Sequence, residues 1–182
     1  ELKIERPSSL KVQSQCFSDY KSTNTLKSLV VCDPMGSVLF SSALFTGSMS
    51  DKEIFEKSGL KRQLQGLVQC GYINTGDGIM ADKGFDICSE LEKLGLKLNL
   101  PPFAKKGTQM PQLDVECTKK IAKHRIHVER YIGKIKKFKF VSSRIKISTL
   151  GSMNQIWFVC SILTNFQPPL LANQPPLLAN EL

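Results

Sequence analysis

Two acids stand where a carboxylate could do chemistry. Asp82 closes the apolar run Ile79-Met80-Ala81 and is followed by Lys83, Gly84 and Phe85. An acid just past a short strand lies at the C-terminal edge of a sheet, where ligands of open α/β sheets gather. Glu129 sits in His124-Arg125-Ile126-His127-Val128-Glu129-Arg130-Tyr131-Ile132-Gly133-Lys134. It is the sole acid between Lys119 and Lys146, a span holding 11 Lys and Arg residues. Gly133, one turn further on, leaves that side of a helix open to approach. Each acid also has a plain explanation. Asp82 could be a turn aspartate, and Glu129 a surface glutamate paired with Arg125 or Lys136.

The chemistry that wants such acids is phosphodiester cleavage. It needs a nucleophilic water and a stabilised leaving oxygen, and two Mg²⁺ ions about 4 Å apart can supply both. Magnesium prefers carboxylate and water oxygens, and carboxylates from different elements would have to converge on the pair. Lysines and arginines nearby would hold backbone phosphates. The charge balance agrees: 25 Lys+Arg against 16 Asp+Glu give +9. That excess favours a polyanionic partner, and by itself does not separate nucleic acid from a membrane surface.

Other classes find less support. The six cysteines include no C-x-x-C pair, so neither a zinc knuckle nor a redox motif is present. Reduced, mostly buried thiols are expected, which points to cytosol or nucleus. His124 and His127 are three apart, but no third nitrogen or sulfur ligand accompanies them, and structural or phosphate-facing roles are favoured. The run Lys134-Ile135-Lys136-Lys137-Phe138-Lys139-Phe140 reads either as a solvated helix end or as a DNA contact. The longest apolar run, Ile156–Cys160, is far short of the roughly 20 residues that span a bilayer. No helix-turn-helix or zinc finger stands out.

The positioning elements follow from the hydrophobic pattern. Leu2-Lys3-Ile4-Glu5 alternates as a strand does, and residues 10–24 look loop-like. Leu26–Cys32, the turn Asp33-Pro34-Met35-Gly36 and the alternating Ser37–Leu44 predict a hairpin. Ser50-Asp51-Lys52-Glu53 has the form of a helix start. The helix it opens would carry Ile54, Phe55, Leu60, Leu64 and Leu67 on its apolar side, with Gly59 as a weak point. Residues 74–78 read as a turn, Ile79–Ala81 as a strand, 86–94 as a short helix closed by Gly95, and Lys97–Leu100 as a strand. Gln112–Phe138 is one long proline-free helical stretch with Ile121, Val128, Ile132 and Ile135 on one side. Met153–Phe166 is a last helix or buried strand, with Trp157 in the core. The heptapeptide Gln-Pro-Pro-Leu-Leu-Ala-Asn is then written twice, at 167–173 and 174–180. The order of elements indicates an α/β layer structure.

Several segments together resemble the DDE superfamily endonuclease domain of Harbinger-type transposases and their domesticated relatives. They are IERPSSLKVQSQCFSDYKSTNTLK, GSMSDKEIFEKSGL, GDGIMADKGFDI, KLNLPPF, RIHVERYIGKIKKF and the LTNFQPPL ending. The resemblance covers roughly residues 1–170. It implies a D-D-E triad, two divalent ions (Mg²⁺ or Mn²⁺), DNA as partner, and a nuclear location. Asp82 matches the second acid and Glu129 the third, both as metal ligands. The first acid falls ahead of the IERPSS strand, before Glu1, so the start reads as truncated. Lys83 replaces an arginine with charge kept, and Asp51 matches a recurrent position that a helix start explains. The expectation is thus an α/β chain with an RNase H-like mixed sheet flanked by helices, N-terminally truncated. Its first strand would lie centrally in that sheet. Residues 1–166 would form the endonuclease domain, and 167–182 a loose tail. Lys83, Arg125, Arg130, Lys134, Lys136 and Lys137 would contact phosphates. A separate DNA-recognition protein and a homo-oligomer are possible partners, and a membrane is not.

Overall fold

A computed structural model describes residues 1–33, 36–82, 84–100, 119, 126 and 128–168. The chain divides into two compact units, Glu1–Ser50 with His127–Leu182, and Asp51–Ile126. The second is inserted in the sequence between the halves of the first, which the hydrophobic pattern of a one-domain chain did not reveal.

The first unit is built on strand β3 (Thr23–Lys27). β1 (Leu2–Lys3) pairs antiparallel along one side of it, Leu2 opposite Leu26. β2 (Phe17–Ser18) and β6 (Phe45–Thr46) pair along the other. Beyond β1, Ile4 bridges Ile145 in parallel, with the Glu5 N–H donating to the Ile145 carbonyl at 2.8 Å. The first strand therefore has a neighbour on each side. β4 (Val30–Cys32) and β5 (Val38–Ser41) form the expected hairpin, with a bulge at Val31/Cys32. Asp33 fixes its turn: its carbonyl accepts the Gly36 N–H at 3.0 Å and its carboxylate the Ser37 N–H at 2.8 Å. Gly36 has φ 87°, a conformation that suits glycine. Residues 34 and 35 lie outside the described residues.

The loop-like reading of residues 10–24 is corrected. Leu10–Cys16 form helix α1, and β2 and the start of β3 follow. Two turns with one buried residue, Cys16, leave too little periodicity to register as a helix.

The core of the first unit gathers Leu2, Ile4, Cys16, Tyr131, Ile135, Val141, Ile145, Met153, Trp157 and Cys160. Trp157 is the core residue the sequence suggested, and its indole N–H donates to the Ser28 hydroxyl at 2.9 Å. It sits on α7 (Met153–Leu163), so the last element is a helix and not a strand. Asn165, just beyond α7, accepts the Val38 N–H at 2.8 Å and donates to the Val38 carbonyl at 3.0 Å, tying the chain end to β5.

In the second unit the expected single helix is two, α2 (Asp51–Lys57) and α3 (Leu60–Gln69). Gly59, with φ 83°, takes the left-handed conformation that ends one helix and begins the other. Strand β7 (Gly78–Met80), helix α4 (Cys88–Glu92) and strand β8 (Lys97–Asn99) form a β-α-β unit with the strands parallel. Among the described residues, Ile54, Phe55, Leu60, Leu64, Ile87, Leu91 and Leu96 are its buried apolar residues.

Of the long helical stretch, residues 128–135 are described as a continuous helix, here α5. Tyr131 and Ile135 are fully buried, and Val128 and Ile132 flank them half-buried. The chain turns at 136–137, short of the expected end at Phe138, and resumes in α6 (Lys139–Ser142). The α/β class is as expected. The described strands fall into three separate sheets. The duplicated tail from residue 169 and the Pro101-Pro102 strand stop lie outside the described residues, and no helix among those residues is long and apolar enough to cross a membrane.

Candidate active-site residues

Asp82 lies two residues beyond the end of β7, after Ala81, and is exposed. The strand is held to β8 up to its end, the Ala81 N–H donating to the Asn99 carbonyl at 3.2 Å. The chain then turns back at once, the Phe85 N–H donating to the Asp82 carbonyl at 3.0 Å. Strand end and turn together present the Asp82 carboxylate at the C-terminal edge of a parallel pair, as the sequence indicated. Lys83 lies outside the described residues.

A second carboxylate approaches the same turn. A Cβ placed on Gly84 would stand 2.8 Å from Oδ2 of Asp51, the first residue of α2. Asp51 thus packs on the glycine two residues beyond Asp82. Sequence reasoning assigned Asp51 to the helix start alone. The two positions are remote in the chain and share no periodic pattern, so only the fold brings them together.

Glu129 is exposed on α5, away from the buried Tyr131–Ile135 side. The helix is anchored beneath it: the Tyr131 hydroxyl donates to the Ser161 carbonyl of α7 at 3.0 Å. Burial pushes the Tyr131 phenol above its ordinary pKa. Gly133 is exposed, and a Cβ there would meet nothing within 4 Å, so the helix side beyond Glu129 is open.

Arg130, Lys136 and Lys137 are exposed at or just past this helix. Lys134 is half-buried and its ammonium donates to the Pro168 carbonyl at 2.6 Å. That contact would have to be given up or shared for Lys134 to hold a phosphate. Arg125, His124 and His127 lie outside the described residues.

Asp82 belongs to the second unit and Glu129 to the first. Both offer hard oxygen donors of the kind Mg²⁺ takes. Among the described residues no three potential ligands gather as a metal-binding group.

A protein-family model described as "DDE superfamily endonuclease" matches residues 1–165. The chain belongs to this family. No curated protein and no solved structure matches it. Family membership makes it a transposase-type endonuclease domain by descent, with DNA as the substrate class and divalent metals as the usual cofactor.

The described cysteines are free thiols as expected, but not all are buried. Cys16 and Cys160 are buried and Cys32 half-buried, but Cys70 and Cys88 are exposed. All five are free thiols, and Cys117 lies outside the described residues.

Proposed function

We propose that this chain is the nuclease domain of a Harbinger-type transposase or a domesticated relative, cutting phosphodiester bonds of DNA with divalent metal. One observation carries the reading. Asp82 stands exposed just past the end of a parallel strand, one residue after Ala81, inside the A-D-K-G-F motif of a chain matched to DDE endonucleases over residues 1–165.

In this reading Asp82 and Glu129 are two carboxylates of an RNase H-like site. They would hold Mg²⁺ or Mn²⁺, two ions in the intact site. The metal would supply an activated water and charge stabilisation at the leaving oxygen. Arg130, Lys136 and Lys137, with Lys83, Arg125 and Lys134, would bind flanking phosphates. A nuclear location, self-association and a separate DNA-recognition protein fit the same reading.

The test is cleavage of end-labelled DNA in Mg²⁺ by the chain and by its Asp82→Ala and Glu129→Ala variants. Loss of cutting in both variants is expected wherever the unsubstituted chain cuts. Variants that cut as well as their parent would remove both residues from the site.

A second reading, DNA binding without cutting, rests on the basic balance of the chain, 25 Lys+Arg against 16 Asp+Glu, which suits a polyanion whether or not the chain cuts it. It predicts that calorimetric titration with Mn²⁺ shows no tight two-ion binding, while DNA binding persists in EDTA. Tight binding of two ions, abolished by Asp82→Asn, would reject it.

A further inference from the structure

The first unit carries a cleft of about 570 Å³ that the nuclease reading does not use. Arg6 and Arg144 both line it, together with Gln13, Ser14, Thr23 and the half-open ring of Phe17. No carboxylate is among its lining residues, and among the described residues neither arginine forms an ion pair. Both are exposed. Two unpaired guanidiniums facing one concavity concentrate positive potential there.

The two arginines are remote in the chain but are held in place by the backbone. The Ile145 N–H donates to the Lys3 carbonyl at 2.9 Å and the Glu5 N–H to the Ile145 carbonyl at 2.8 Å. Arg144 and Arg6 flank this cross-tie. Arg6 is also oriented by its side chain: its Nε donates to Gln13 Oε1 at 2.9 Å, while Gln13 Nε2 donates to the Pro7 carbonyl at 2.7 Å. The terminal guanidinium nitrogens of Arg6 are left to a ligand. Ser22, also in the lining, has φ 48°, a conformation rare outside glycine and asparagine. It sits in the turn between β2 and β3.

We propose that this cleft binds a strand of DNA, with Arg6 and Arg144 on phosphate oxygens and the Phe17 ring against a base. The inference rests on the DNA reading above and adds to it a contact surface away from Asp82. Planar guanidiniums fit phosphate oxygens as a bidentate pair. The hydroxyl and amide lining supplies the neutral donors that usually accompany phosphate contacts. Phe17 is 41% exposed at the edge of this polar cleft, and an open ring beside cations is how single strands are held without sequence preference.

The experiment is fluorescence anisotropy of a labelled single strand of DNA, in EDTA, across a salt series. Arg6→Gln with Arg144→Gln is expected to weaken binding roughly tenfold and to lower the slope of log K against log salt by about 1.4, two phosphates at 0.7 each. Arg6→Lys with Arg144→Lys should recover most of the slope. Phe17→Ala should weaken binding with the slope unchanged. If the Gln pair binds like the parent while Lys136→Ala with Lys137→Ala binds more weakly, the cleft is overturned and the DNA reading stands. If the parent binds no DNA, both fall. Oligoglutamate bound as tightly as the strand, and lost with the same Gln pair, would overturn DNA as the occupant.

Discussion

The Asp51 carboxylate packs on the Cα of Gly84, so closely that a methyl group there would stand 2.8 Å from Oδ2. The contact joins the start of α2 to the turn that presents Asp82. Its cost on substitution can be signed. Gly84→Ala forces a short side chain to move, and overpacking of this kind costs about 1 kcal/mol at its mild end. In an Asp51→Ala background the clash is gone. There the same substitution should be neutral or stabilise by about 0.5 kcal/mol, because alanine narrows the unfolded ensemble. Urea denaturation of the two single variants and the double variant reads this directly. Additive effects would mean that the two residues do not press on one another.

Thr25 and Gly47 give a second close approach, within the sheet of the first unit. The Thr25 side chain is fully buried, and its hydroxyl has no hydrogen-bond partner among the described residues. That hydroxyl and the Cys16 carbonyl fill the space a side chain at Gly47 would need. Gly47→Ala therefore meets backbone as well as a side chain, and should cost about 3 kcal/mol. Thr25→Val removes an unsatisfied polar atom at nearly constant shape, so it should leave the melting midpoint unchanged or raise it. A marked fall in that midpoint would show that the hydroxyl has a bonded partner, such as a buried water.

Much of this arrangement was legible in the sequence, for identifiable reasons. The hairpin was announced by Asp33 and Gly36, whose turn chemistry is local. β7, α4 and β8 were bounded by glycines and an apolar alternation that need no tertiary context. Asp82 was placed because strand end and turn are adjacent in the chain. Gly59 reads as a weak point in one helix, but Leu60, Leu64 and Leu67 do not continue the helical spacing of Ile54 and Phe55, and that loss of register is the signal of a break. α1 was missed because only Cys16 on it is buried. The Asp51–Gly84 contact and the cleft between Arg6 and Arg144 were invisible, since each joins residues that no periodicity links.

Glu90 makes a pH-dependent contribution within the second unit. It is hydrogen-bonded by the Lys61 ammonium and by that of Lys93, the latter at 3.1 Å. Those bonds, Lys61 first, draw its carboxyl from the ordinary 4.5 down to about 2. A carboxyl with a depressed folded-state pKa binds its proton more readily when unfolded. Its contribution is therefore complete above about pH 4.5 and is lost as pH falls from there towards 2. The Glu90→Gln variant should be less stable than the parent at neutral pH, and the gap should close on acidification. Urea midpoints of both proteins at neutral pH and near pH 3 would measure it. A gap independent of pH would rule out the ion pairs as its source.

The thiols should separate by reactivity. Burial, with Asp33 adding to it, raises the Cys32 thiol to about 11, and burial also raises Cys16 and Cys160. The hydrogen bond to Glu92 raises Cys88 although it is exposed. Cys70 is exposed. Thiolate is the reacting form. Brief alkylation at neutral pH, followed by peptide mass mapping, should label Cys70 ahead of Cys88, and both ahead of Cys16, Cys32 and Cys160. Prompt labelling of Cys16 or Cys160 would mean that the core of the first unit opens on that timescale.

Tyr131 links the candidate acid Glu129 to the core. Its ring is fully buried two residues beyond Glu129, and its hydroxyl reaches across to the Ser161 carbonyl at 3.0 Å. Tyr131→Phe keeps the ring and removes one hydrogen bond, and the carbonyl keeps the Thr164 hydroxyl, which donates to it at 2.5 Å. The loss should be about 1 kcal/mol, the net worth of one such bond, without the added penalty of a stranded acceptor. Tyr131→Ala empties a core site and should cost about 4 kcal/mol. Chemical denaturation of both variants gives the two values. If the Phe variant lost as much as the Ala variant, the hydroxyl and not the ring would be what anchors α5 beneath Glu129.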